Sequence, residues 1–164
     1  MSNVKDHLDA TRTQLLQEID TLDDTAFNRK PDVQSWSVAQ ICHHLVLVEE
    51  ATRKAIAWGL KAQENSTPAR KNVQLILDRT KKIQAPSIVE PTEQPFTVQA
   101  MQDLLATTRK NLLAFLQTIE DPEVLAKRAV QHPALGELPL DQWIEMVYLH
   151  EQRHIEQLQE IVRE

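Results

Sequence analysis

Residues 140–161 read LDQWIEMVYLHEQRHIEQLQEI, and this stretch carries the clearest helical pattern of the chain. On a helical wheel with about 100° per residue, its apolar side chains fall on one stripe and most of its polar side chains fall opposite. The stripe consists of Leu140, Ile144, Val147, Leu158 and Ile161. It predicts an amphipathic helix over about 139–163 that buries one face against other helices.

Two histidines lie on the buried side of this helix. His154 falls roughly 30° from the centre of the apolar stripe, and His150 falls roughly 70° from it. Histidines four residues apart project from the same face and can share one metal ion. A buried imidazole needs a partner for each nitrogen, and a metal ion supplies one of them. We therefore predict His150 and His154 as metal ligands; the alternative is a pair of core histidines without a metal.

A third histidine is expected to turn toward the same place from an earlier helix. That helix is predicted over about 38–63, and Ser37 and Gln40 form a capping-box pattern at its start. Its apolar stripe lies roughly 70° from His44 but about 170° from His43. We therefore predict that His44 is the third ligand and that His43 faces water. Three protein ligands would leave one coordination position for water or substrate, as in catalytic zinc sites.

Glu151 falls near the centre of the apolar stripe of the last helix, where an unpaired carboxylate is costly. Three functional roles are open to it: it orients a ligand histidine, binds the metal, or acts as a general base. We name it as the candidate catalytic residue. The alternative is a glutamate at a packing boundary whose carboxylate reaches water.

Two other features near the histidine pair have competing explanations. Residues 150–154 match the H-E-x-x-H pattern of zinc metalloproteases. We expect no protease, because too little sequence follows His154 for the third ligand that those enzymes place downstream. His132 precedes the last helix, and we expect it to fix the turn there; a place at the mouth of the site is the alternative.

The composition predicts an all-α fold. Only two glycines occur and aromatic residues make up 4% of the chain, whereas strand-rich proteins use more of both. Two further helices are predicted over about 3–23 and 98–120, which makes four long helices in one domain spanning 1–164. About 34 residues separate the second from the third, enough for those helices to run parallel in a bundle. A short extra helix is predicted in this crossover at about 69–84.

Charge and cysteine content narrow the function classes. A net charge of −6 argues against a nucleic-acid surface, which needs clustered lysine and arginine. Cys42 is the only cysteine, which excludes an intrachain disulfide, and it is expected to pack as a small apolar group. Neither a signal peptide nor a membrane span is evident. We expect a cytoplasmic protein that binds neither nucleic acid nor a membrane.

Several segments together resemble the DinB/YfiT-like superfamily. The sequence WSVAQICHHL at 36–45 is similar to the signature at the start of that family's second helix. The sequence HPALG at 132–136 and the pattern His150-x-x-Arg153-His154-x-x-Gln157 resemble the family's C-terminal part. Residues 82–91 resemble the loop before its third helix. The resemblance covers essentially the whole chain.

The resemblance implies a four-helix bundle with an up-down-down-up course and a three-histidine site at His44, His150 and His154, often occupied by nickel or zinc. Many family members are homodimers. Some relatives are transferases or isomerases that use a low-molecular-weight thiol, and others are regarded as metal-dependent hydrolases. We therefore predict a metal-dependent enzyme acting on a small molecule, with thiol-dependent S-transfer first and hydrolysis as the alternative. A non-catalytic bundle that binds a metal or small molecule is the third possibility.

Overall fold

The computed structural model describes residues 2–164, which form mainly helices. The helices are α1 (Ser2–Asp20), α2 (Asp24–Asn28), α3 (Val38–Ala62), α4 (Val98–Gln117), α5 (Val124–Lys127) and α6 (Leu140–Arg163). Strands β1 (Ala129–His132) and β2 (Gly136–Pro139) and two 3-10 turns, Val73–Leu77 and Ser87–Val89, complete the elements. None of the helices in residues 2–164 has both the length and the apolar character needed to cross a membrane.

The start of α3 is set by the predicted capping box. The Ser37 hydroxyl accepts a hydrogen bond from the Gln40 amide at 3.1 Å, and the Gln40 side chain accepts one from the Ser37 amide at 3.0 Å. These bonds satisfy two amides that a helix start otherwise leaves without partners. The helix therefore begins at Val38, and His44 lies six residues further along, on its buried side.

Helix α6 packs against both α1 and α3. Contacts with α1 join Thr11 to Glu151 and Glu18 to Gln159, so residue numbers rise together along the two helices. Helices α1 and α6 therefore run in the same direction.

Helix α3 runs opposite to α6. His44 lies beside His150, while Gly59, near the other end of α3, lies against Leu140 at the start of α6. A Cβ atom at Gly59 would lie 2.8 Å from Leu140 Cδ2 and 2.7 Å from Val130 Cγ2, so glycine allows the close approach of α3 to α6 and β1.

The apolar core is divided into two clusters. The first includes Leu8, Ile56, Leu112 and Val147. The second includes Leu15, Leu45, Leu105 and Ile155. Along each long helix one buried charged residue lies between members of the first and second clusters: Arg12, Glu49, Arg109 and Glu151. We call these four residues the charged layer.

The expectation of a purely α-helical fold is wrong in one part of the chain. Strands β1 and β2 form an antiparallel hairpin in which His132 pairs with Gly136. Gly136 has a φ of 73°, a left-handed conformation that glycine adopts without strain. The hairpin packs on α6, where the Trp143 indole donates to the Val130 carbonyl at 3.2 Å. Strands of only four residues carry little periodic signal, so the sequence did not reveal them.

The extra helix predicted over about 69–84 is also wrong in extent, since only the 3-10 turn Val73–Leu77 forms within it. The Arg153 side chain donates to the carbonyls of Ile76 and Asp78 at 2.8 and 2.9 Å. It also donates to the Lys81 carbonyl at 2.8 Å. These bonds fasten the segment 76–81 to α6, and this segment is not α-helical.

Candidate metal centre

The three histidines singled out from the sequence lie together. His44 is on α3, and His150 and His154 are on α6. The Nε2 atom of His150 lies 3.3 Å from His44 Nε2 and 3.0 Å from His154 Nε2. Each histidine offers one nitrogen, and these nitrogens all lie within 4.8 Å of one another. The fold therefore brings the residues together as expected, and their role as metal ligands stays a prediction.

Two of the rings are oriented by acceptors on their outer nitrogens. His44 Nδ1 lies 2.8 Å from the Val89 carbonyl, and His154 Nδ1 lies 2.7 Å from the Gln157 side-chain oxygen. An oxygen of this kind only accepts, so each Nδ1 is assigned the proton. The Nε2 atoms of both rings then present lone pairs to the cluster, which is the form a metal ion needs.

His150 differs from the other two histidines. Its Nδ1 is buried and has no hydrogen-bond partner within residues 2–164. Its ring packs edge-on against the rings of His44 and His154, with centroids 5.0 and 4.5 Å away. The position of this ring therefore depends on ring packing and on how α6 is placed.

Burial keeps the three imidazoles neutral. It lowers the pKa of His154 to about 3 and, with help from the neighbouring histidines, lowers the pKa of His150 well below its usual value. Burial also lowers the pKa of His44, although the bond to Val89 opposes this effect. Neutral imidazole is the form that binds metal, so the site needs little deprotonation near neutral pH.

Two of the three separations between the nitrogens fit a small divalent ion. Imidazole nitrogens at about 2.0–2.1 Å from a tetrahedral zinc ion lie about 3.3 Å apart. The Nε2 atom of His150 lies 3.3 Å from that of His44 and 3.0 Å from that of His154, in agreement with that spacing. In the described part of the chain, no carboxylate or thiol joins the three histidines as a fourth ligand. Three neutral ligands in this arrangement leave a coordination position free.

Comparison with known proteins identifies the family. The family model for the DinB superfamily matches residues 7–158. The chain belongs to the DinB superfamily. This assignment confirms the resemblance noted from the sequence.

One relative of this DinB chain is similar to it over most of both sequences, and a solved structure is similar to it in fold. It is 28% identical over 150 residues to YuaE of Bacillus subtilis (strain 168), a protein described as uncharacterized, and the match covers 92% of this chain and 91% of YuaE. The crystal structure of TT2238, a four-helix bundle protein, superposes with a TM-score of 0.65 at 20% identity, covering 96% of this chain and 97% of TT2238. The likeness to TT2238 confirms the four-helix bundle.

A second solved structure is similar in fold to this DinB chain. YfiT from Bacillus subtilis superposes with a TM-score of 0.69 at 16% identity, covering 99% of this chain and 85% of YfiT. YfiT is described as a probable metal-dependent hydrolase with an unusual four-helix bundle topology.

His43 lies outside the cluster of the DinB chain. Its Nδ1 accepts a hydrogen bond from the Thr92 amide at 3.1 Å, and its ring packs on Phe96 with centroids 5.1 Å apart. The side chain is partly buried, so the expectation that it faces water is only partly met. On the other side, Trp36 packs on the ring of His44, with centroids 5.0 Å apart. The geometry thus separates the two adjacent histidines as the helical wheel predicted.

Glu151 is not a boundary residue with its carboxylate in water, because it is only 1% exposed. Its carboxylate accepts hydrogen bonds from Thr11 at 2.8 Å and from the Arg12 side chain at 2.8 and 3.1 Å. Arg109 donates a further bond at 3.3 Å. Among the described residues, no histidine hydrogen-bonds to this carboxylate. The general-base role stays a prediction that these contacts do not support.

The other members of the charged layer were not predicted from the sequence. Arg12, Glu49 and Arg109 are 6%, 2% and 6% exposed, respectively. The sequence nevertheless contains a regular spacing around these residues. In each long helix the charged residue lies four positions after an apolar residue and three positions before the next residue of the buried stripe. The four sets are 8-12-15-19, 45-49-52-56, 105-109-112-116 and 147-151-154-158. A charge at the same place in every helical stripe indicates ion pairing inside the bundle.

The remaining candidates have structural roles in the DinB fold. Cys42 is fully buried, and burial raises its pKa to about 12, so it is not an available nucleophile. His132 Nδ1 accepts a hydrogen bond from the Ala134 amide at 3.1 Å, and its ring packs on Trp143. His132 therefore fixes the hairpin turn that leads to α6, in line with the favoured expectation.

Proposed function

We propose that this DinB superfamily member is a metal-dependent enzyme in which His44, His150 and His154 hold a divalent ion. The convergence of three imidazole nitrogens carries the proposal. Because these ligands are neutral, a bound ion would keep its full positive charge. An ion held in this way lowers the pKa of a water or thiol molecule in its remaining coordination position. Nickel and zinc are the proposed metals.

The chain supplies rigid support for the site. The Val89 carbonyl and the Gln157 amide hold two rings with their Nε2 lone pairs toward the cluster. Trp36 packs on His44 and restricts its movement. Such outer partners typically change metal affinity or activity by about 10–100-fold when removed.

Thiol-dependent S-transfer between small molecules is the first proposed reaction. The family resemblance supports it, and the inaccessibility of Cys42 adds a chemical constraint. Because the chain contains no other cysteine, a thiol nucleophile has to come from a separate low-molecular-weight compound. The three-histidine site would then bind and orient that thiol beside an electrophilic substrate.

Hydrolysis is the second candidate. The observation that favours it is the similarity in fold to YfiT, which is described as a probable metal-dependent hydrolase. The same three ligands serve this reaction, with water in place of the thiol. The two candidates therefore differ in the nucleophile and share the site.

Elemental analysis of protein purified without chelators tests the metal site. We expect near-stoichiometric nickel or zinc, restored by added metal if purification strips it. A His150→Ala/His154→Ala variant should lose the metal while keeping its helical circular dichroism, and His43→Gln, the matched control, should retain it. A parent that cannot be loaded, or a folded double variant that still binds metal, would refute the proposal.

The visible absorption of cobalt-substituted protein separates the nucleophiles. A small thiol that enters the coordination shell adds a thiolate-to-cobalt charge-transfer band, whereas a hydrolase without a thiol site shows no such band. The non-catalytic alternative predicts bound metal without turnover of thiol-acceptor or hydrolase substrates.

Several finer predictions belong to this proposal. The up-down-down-up course of the long helices is supported by the parallel contacts of α1 with α6 and the antiparallel contacts of α3 with α6. The family resemblance predicts a homodimer, which sedimentation tests. The sequence predicts a cytoplasmic location, which cell fractionation tests.

A further inference from the structure

The charged layer is a closed ring of ion pairs. Arg12 Nη2 lies 2.6 Å from a Glu49 oxygen and 2.8 Å from a Glu151 oxygen. Arg109 reaches the same two carboxylates, with Nε 2.6 Å from Glu49 and Nη2 3.3 Å from Glu151. Each carboxylate is thus shared by both guanidinium groups, and each of the four long helices contributes one member.

Stability alone does not explain a ring of this kind. Moving four charges out of water is costly, and replacing a buried ion-pair network by well-packed apolar residues is often neutral or stabilising. The layer does fix positions, because charge-assisted hydrogen bonds restrict geometry more than apolar contacts do. Buried polar groups can therefore set how helices are placed.

The arginines also tie the layer to the backbone. Arg12 Nη1 donates to the Leu105 carbonyl at 2.5 Å, and Arg109 Nη1 donates to the Leu8 carbonyl. These bonds hold α1 and α4 against each other. The two guanidinium groups then form a fixed platform on which the carboxylates of α3 and α6 rest.

Glu151 connects this platform to the metal centre. It directly follows His150 and precedes His154 by three residues on α6. His154 has its own orienting acceptor, whereas His150 Nδ1 has none in the described part of the chain. The rotation of α6 about its axis therefore decides where the His150 ring lies, and the bonds to Glu151 restrict that rotation.

We propose that Glu151 is a positioning residue that holds His150 and His154 in register with His44 through the ion pairs of the charged layer. This inference rests on the proposed metal site. Glu49 is the natural comparison, because it binds the same two arginines and is equally buried. It lies on α3, whose single ligand His44 is held independently by the Val89 carbonyl.

The test compares Glu151→Gln with Glu49→Gln in the full-length protein. Both changes remove one charge from the ring, so the metal-free variants should lose similar thermal stability. We expect zinc affinity, measured by competition with a chelating indicator, to fall about 10–100-fold in Glu151→Gln. In Glu49→Gln the fall should be at most about threefold. The visible spectrum of bound cobalt should change in Glu151→Gln only, which a general loss of stability would not produce.

If either glutamine variant fails to fold, the same comparison is made with Glu151→Asp and Glu49→Asp, which keep the charge. The shorter side chain shifts the carboxylate while the ring keeps its charge, so Glu151→Asp should again weaken zinc binding more than Glu49→Asp. Equal zinc affinities in the two members of a folded pair, or a larger loss in the Glu49 variant, would overturn the positioning role. A parent protein that binds no zinc would instead refute the proposed function, so the two failures are distinguishable.

Discussion

Replacing Gln157 by methionine removes the acceptor of His154 Nδ1 while nearly preserving the length of the side chain. The lost hydrogen bond is 2.7 Å long and joins two neutral groups, so its net contribution to folding is about 0.5–1.5 kcal/mol. Its contribution to metal binding is larger, because the bond fixes both the ring and its protonated nitrogen. Loss of such a partner costs about 10–100-fold in metal affinity, equivalent to about 1.4–2.8 kcal/mol.

The assay is a zinc titration in competition with a chelating indicator, alongside urea unfolding of the metal-free protein. Gln152→Met is the matched control, because Gln152 is partly buried on the same helix and forms no hydrogen bond to a histidine within residues 2–164. Gln157→Glu, which keeps an acceptor, should restore most of the affinity. Equal zinc affinity in Gln157→Met and the parent, or an equal loss in Gln152→Met, would show that Gln157 does not orient His154 for metal binding.

Three further predictions concern the surrounding fold. Cys42 should resist iodoacetamide in the native protein at mildly alkaline pH, because burial raises its pKa to about 12. It should react once urea unfolds the protein, and rapid labelling of the native protein would contradict this prediction. Burial lowers the pKa of His132 from 6.5 to about 4. As the pH drops, His132 is therefore protonated in the unfolded chain before it is protonated in the folded protein. The unfolding free energy should consequently fall between pH 6.5 and 4. Urea titrations of metal-free His132→Gln should show a smaller fall than the parent; an unchanged pH dependence would count against it. Gly59→Ala should destabilise the protein by about 1–3 kcal/mol, since the new methyl group overlaps Val130 and Leu140. The same urea assay in a Val130→Ala background should show a smaller penalty, and a stabilised Gly59→Ala protein would contradict the close packing.

The histidine cluster shows what residue spacing along a helix can predict. Helical periodicity identifies which side of a helix is buried, and the capping box at Ser37 sets where that periodicity begins in α3. These two facts separate His44 from His43 and turn it toward the interior of the bundle, and the family resemblance joins it to His150 and His154. The sequence also predicted the four long helices, which the structure places within three residues of the expected ends.

Glu151 shows what residue spacing along a helix cannot predict. Its central place on the stripe was visible in the sequence, but its partners Arg12 and Arg109 come from α1 and α4, far away along the chain. Whether a buried carboxylate faces water, a metal or a guanidinium group depends on those distant partners. Helical periodicity contains no information about them.

Residue spacing along single helices was enough to predict the long helices and the buried side on which each candidate histidine lies. Three features became known only from the folded chain: the hairpin of β1 and β2, the path of the crossover beside Arg153, and the partners of His44 and Glu151. All three have the same cause. A carbonyl, amide or charge takes its partner from whichever segment the fold brings within about 3 Å, and that segment can lie anywhere in the chain.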